Sequence, residues 1–139
     1  MDTVSAFELG KALAPIRESG VMIVASGSMT HNLYEFLHSG AAEQDYAIAF
    51  THWIRQAVTS HDIEGLLDYR QRAPHAQRAH PTEEHFLPLL VALGARSDDE
   101  ATQVIDAGVA NSVLSMESYA WGMTNTNTSS TTHTEGVAA

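Results

Sequence analysis

His80-Pro81-Thr82-Glu83-Glu84-His85-Phe86-Leu87-Pro88-Leu89 is the stretch on which the reading of this chain turns, since two imidazoles and two carboxylates meet there at the mouth of an apolar helix. Thr82 is a good N-cap, and Glu83 and Glu84 follow in the first turn, so the sequence predicts a helix opening at Thr82. Pro81 holds His80 extended just before that helix, and Pro88 falls about one turn into it. His80 and His85 are therefore expected to face one cavity from the two sides of a helix start. Metal binding or proton transfer is the chemistry such a grouping serves; a pair of surface histidines in a polar turn is the plain alternative.

Outward from this stretch the chain alternates helical patterns with short apolar runs. Thr3 to Ser19 predicts a helix stopped by Gly20, and it leads into Val21-Met22-Ile23-Val24-Ala25, an all-apolar run of the kind found in buried strands. The turn Ser26-Gly27-Ser28 and a helical stretch opening near Thr30 or His31 make this a strand-to-helix junction, with His31 and Asn32 at the strand's C-terminal edge, where ligand sites commonly form. Glu43 to Ser60 repeats apolar residues at helical spacing, and another helix is expected from Asp62 or Ile63. Thr102 to Val109 and Ser112 to Trp121 read as two β segments. The tail from Thr124 to Ala139, rich in Thr, Ser and Asn, is expected to be disordered. The expected class is thus α/β, a partial mixed sheet flanked by helices, forming one unit over residues 1–123. One central strand and two late ones are few for a parallel sheet, so the strand edge is expected to be covered by a second copy or another polypeptide.

Composition narrows the function classes. The chain has 139 residues, enough for one core. Seventeen Asp and Glu against seven Lys and Arg give a net charge of −10, which disfavours nucleic acid and anionic membranes as partners. There is no cysteine, so any metal must be held by imidazole and carboxylate, a ligand set that suits iron, zinc or manganese. No apolar run reaches the roughly 20 residues of a membrane span, and the N-terminus has no signal-like segment, so a cytoplasmic protein is expected.

Three motifs, Val21 to Leu33 (VMIVASGSMTHNL), His80 to Ala95 (HPTEEHFLPLLVALGA) and Ser112 to Gly122 (SVLSMESYAWG), occur in an order that resembles the C-terminal half of the class III extradiol ring-cleavage dioxygenases, in the branch that includes the 4,5-DOPA dioxygenases. The resemblance implies a non-haem Fe(II) enzyme, with zinc possible in the same site, that inserts both atoms of O2 into a catechol such as DOPA. It also implies roles. His31 takes the position of the acid/base that moves a substrate proton, and His85 that of a metal ligand. His80 falls on a supporting or substrate-facing position, and Tyr119 and Asn32 lie near the substrate. The family's other metal-ligand histidines belong to a preceding half, so the metal site is expected to need an N-terminal segment, a partner chain or a second copy. His38 is a weak substitute; His52, His61 and His75 read as packing or solvent-facing residues. The competing reading is a non-catalytic binding or assembly module that self-associates through its sheet edge. A phosphate site on Ser26-Gly27-Ser28 lacks both the P-loop lysine and the three-glycine fingerprint.

Overall fold

The computed structural model describes residues 1–38, 45–110 and 112–123. The expected tail from Thr124 onward and the start of the helix expected from Glu43 lie outside the described residues.

Helices dominate, with two small antiparallel sheets. Helix α1 (Thr3–Leu13) is capped by Asp2, whose carboxylate accepts from the Ser5 amide at 2.7 Å; it tightens into a 3₁₀ turn (Ala14–Ser19) that ends at Gly20, φ 81°. Six further helices follow, α2 (Leu33–His38), α3 (Asp45–Thr59), α4 (Ile63–Leu67), α5 (Tyr69–Arg72), α6 (Ala76–Ala79) and α7 (Leu87–Ala95). Strands β1 (Gln103–Ile105) and β4 (Ser118–Ala120) pair with Val104 opposite Tyr119. Strands β2 (Val109–Ala110) and β3 (Leu114–Ser115) form a second pair with Val109 opposite Ser115.

The core is built where α3, α4 and α7 meet. Phe50 and Ile54 of α3, Leu66 of α4, and Leu90 and Leu93 of α7 are all buried, and Tyr69 stacks on Phe86 with ring centroids 3.9 Å apart. Helices α1 and α7 approach through glycine: a Cβ at Gly10 would run into the Val91 carbonyl, and one at Gly94 into the Phe7 carbonyl. Absent side chains therefore set the distance between these two helices.

Two expected elements differ. The helix expected at Thr82 begins at Leu87, with Pro88 in its first turn. The Thr82 hydroxyl donates to the Glu84 carboxylate at 2.7 Å instead of capping backbone amides, and Pro88 sits where a missing N–H costs least. The Val21–Ala25 run has no regular secondary structure and joins neither sheet. Among the described residues it has no ladder partner, and Met22 and Val24 are 81% and 74% exposed. An apolar strand needs a neighbour on its edge, and none of the described residues provides one. The two late β segments are divided into four short strands by turns. No described helix is long and apolar enough to cross a membrane.

Candidate active site

Three backbone and side-chain anchors bring the junction after Val21–Ala25 onto the start of α7. The Ser28 amide donates to the His85 carbonyl at 2.9 Å, and the His31 amide donates to the Ala79 carbonyl at 2.8 Å. Buried Thr30 donates its hydroxyl to the Val113 carbonyl at 2.6 Å and accepts from the Ser115 amide at 2.8 Å, which ties the same loop to the β2–β3 hairpin. Gly27 permits the close approach, because a side chain there would strike the His85 carbonyl.

The result is that the rings of His31 and His85 stack, centroids 3.6 Å apart and planes 25° apart. Burial, and then the neighbouring His85, push the His31 pKa below its ordinary value, with Glu84 opposing. A neutral imidazole is thereby favoured at His31, the form able to accept a proton. The His85 Nε2 lies 3.9 Å from the Glu84 carboxylate, and its side chain is 41% exposed.

His80 takes a different place. It is fully buried among Phe50, Tyr69 and Phe86, and its Nε2 donates to the Met29 carbonyl at 2.8 Å. Its Nδ1 has no partner among the described residues, and burial holds its pKa at about 4. It therefore supports the segment that carries His31; of the three histidines only His85 is among the residues lining the cavity, with His31 reaching it through the stack on His85. Asn32 is engaged by the protein itself: its Oδ1 caps α2 by accepting from the Glu35 amide at 3.1 Å, and its Nδ2 donates to the Arg78 carbonyl at 2.8 Å.

Beside His85 lies a cavity of about 120 Å³ whose wall includes Ser28, Phe86, Glu117, Tyr119 and Trp121. Glu117, Tyr119 and Trp121 alternate along one face of the β4 segment, which aims all three inward. The Tyr119 hydroxyl donates to one oxygen of the Glu117 carboxylate, and Arg55 on α3 pairs with the other, Nε to Oε2 at 2.8 Å. Arg55 also reaches Asp106 at 2.7 Å. Burial, and then the carboxylate beside it, raise the Tyr119 pKa well above a free phenol. Tyr119, expected near the substrate, lines this cavity, and Glu117 and Arg55 were not singled out from the sequence. The period-two spacing of Glu117 and Tyr119 was the available signal.

Among the described residues no three His, Asp or Glu side chains come together as a metal-binding group. Two stacked imidazoles also cannot share an ion, because their lone pairs lie in nearly parallel ring planes. The donors present fit one corner of a metal centre, not a whole one.

Residues 2–122 match the family model described as the catalytic LigB subunit of aromatic ring-opening dioxygenase. The chain belongs to this dioxygenase family. It is 34% identical over 119 residues to a 4,5-DOPA dioxygenase extradiol of Beta vulgaris, covering 86% of this chain and 44% of that protein. To the 4,5-DOPA dioxygenase extradiol of Escherichia coli K12 it is 32% identical over 123 residues, again 44% of the relative's length. A crystal structure of an uncharacterised Escherichia coli K12 protein superposes with a TM-score of 0.76 at 31% identity, covering 86% of this chain and 50% of that one. The chain thus spans less than half the length of these curated relatives. Ring-opening dioxygenases of this family are in general metal-dependent and act with O2 on aromatic substrates.

Proposed function

We propose that this chain is the part of an extradiol dioxygenase that carries the acid/base histidine and one metal ligand. The substrate is a catechol such as DOPA, and the metal is non-haem Fe(II), with zinc able to occupy the same position. The observation that carries the reading is the His31–His85 stack beside a small, aromatic-lined cavity. The stacked geometry supports a division of labour. His85, its side chain 41% exposed and on the cavity wall, offers a nitrogen to the ion, and His31, kept neutral, takes the proton of a catechol hydroxyl. Tyr119, which lines the same cavity as His85, contacts the substrate ring oxygen. The metal supplies Lewis acidity and the redox partner for O2. Its remaining ligands come from a segment or partner outside these 139 residues, or from a second copy, in a cytoplasmic protein.

The experiment is anaerobic loading with Fe(II), then O2 and DOPA, with oxygen uptake and the yellow ring-cleavage product followed together. It is run on the chain alone and on the chain mixed with the half of the Beta vulgaris relative that it does not match. Uptake only in the mixture is the expected result, and no uptake in either condition overturns the reading. The bare Val21–Ala25 run favours one alternative, a non-catalytic assembly module that self-associates through that edge. It predicts a stable homo-oligomer without uptake.

A further inference from the structure

Two hydroxyl groups at the cavity beside His85, those of Tyr119 and Ser28, have protons that are already committed. The Tyr119 hydroxyl donates to Glu117, and the Ser28 hydroxyl donates to the Thr30 carbonyl at 2.7 Å. Glu117, its side chain 1% exposed and paired with Arg55, is an acceptor at the same wall. The indole N–H of Trp121 is directed to Thr102 at 2.9 Å, so it is spent as well. Apart from His85 and Ser118, the rest of the wall is apolar, with Met29, Phe86, Leu89 and Ala92 among its residues, and no lysine or arginine lines it. A hydroxyl that has given up its proton still has lone pairs, and can only accept.

We propose that Arg55 and Glu117 fix the polarity of this wall, so that Tyr119 meets a ligand as a hydrogen-bond acceptor and selects an aromatic ring that presents a protonated hydroxyl to it. Glu117 is a positioning residue in this scheme and acts through Tyr119. The inference rests on the catechol reading above and adds the rule by which the site tells a catechol from its ethers. The cost of the wrong ligand is physical: an ether oxygen facing Tyr119 leaves two acceptors opposed with no proton between them.

Glu117→Gln is the informative variant because Arg55 decides how the amide sits. Two guanidinium donors hold the glutamine carbonyl on the Arg55 side, which turns the NH2 toward Tyr119. The phenol then accepts from Gln, and its own proton is released to the cavity.

The test is binding of catechol and of 1,2-dimethoxybenzene to the full chain without metal, read by quenching of tryptophan fluorescence, Trp121 being in the wall. The wild-type chain is expected to prefer catechol at least tenfold. Tyr119→Phe should bring the ratio below about threefold, and Glu117→Gln should narrow or reverse it. Equal binding of both ligands by the wild type, or a ratio unchanged in Tyr119→Phe, overturns the polarity rule and leaves the catechol reading standing. If neither ligand binds, the polarity rule is overturned, while the catechol reading stands or falls on the oxygen-uptake experiment with the completed, Fe(II)-loaded site. Tyr119→Phe keeps the test decisive if Glu117→Gln does not fold.

Discussion

Gly27 and His85 are in such close contact that the α-hydrogen of Gly27 occupies the only room left beside the His85 carbonyl, and a methyl group there would overlap it. The same carbonyl accepts the Ser28 amide at 2.9 Å, so one contact fixes both the loop and the site histidine. Gly27→Ala is expected to destabilise the chain by about 1–3 kcal/mol, the usual cost of overpacking. Urea unfolding measures it; a midpoint within error of the wild type would show that the loop can retreat from His85.

Thr30 bridges the His31 loop and the β2–β3 hairpin with two buried hydrogen bonds. Thr30→Val keeps the shape and deletes both, leaving the Val113 carbonyl and the Ser115 amide unpartnered. A loss of about 2 kcal/mol is expected. Amide exchange at Ser115 should quicken in parallel, and if protection there is retained, the bridge is not what holds the hairpin.

His31 and His85 should fail differently. In the completed enzyme, His31→Ala is expected to keep bound metal and lower turnover by on the order of 10²–10⁴, the range for a lost general base. His85→Ala should instead lower metal content. Metal stoichiometry measured beside activity separates the two, and equal metal loss in both variants would refute the division of roles.

His80 makes stability depend on pH. Its folded pKa, about 4, lies below the ordinary 6.5, so between those values the unfolded chain binds a proton that the folded chain refuses. Its contribution is complete above pH 6.5 and is lost as pH falls toward 4, with roughly 2 kcal/mol gone by pH 5. In His80→Gln that proton has no site. The stability gap between wild type and variant should therefore shrink on going from pH 7.5 to pH 5, and a gap that ignores pH would count against a neutral buried imidazole.

Val24 is 74% exposed on the unpaired run. Val24→Glu is expected to change the chain's own stability by no more than about 0.5 kcal/mol while weakening its association with a completing polypeptide or a second copy. Sedimentation velocity gives the association; unchanged affinity would place the interface elsewhere.

Much of the site was legible because it depends on local chemistry. The Ser26–His31 turn and the His85 stretch announced themselves by residue type, and the fold stacks the two histidines. The helix start at Thr82 misled because a threonine hydroxyl has two uses, and here it donates to Glu84; Pro88, expected about one turn into the helix, lies in its actual first turn. Val21–Ala25 has a strand's composition, but strandhood is a property of two segments and only one is among the described residues. Glu117 could have been read from its period-two spacing with Tyr119, but Arg55 escaped because its pairing with Glu117 joins a helix to a segment 62 residues away, which no local pattern reveals.

The bare apolar run also bears on how the chain must be handled by a cell. Five consecutive aliphatic residues with open backbone edges form a template on which like segments stack, and their tendency to do so rises with concentration. Production of this polypeptide in excess of whatever covers Val21–Ala25 would drive it toward insoluble aggregates, whereas matched synthesis would keep it in solution. If a completing polypeptide covers this run, as proposed, the chain's working abundance would be set by stoichiometry with it as much as by its own folding stability.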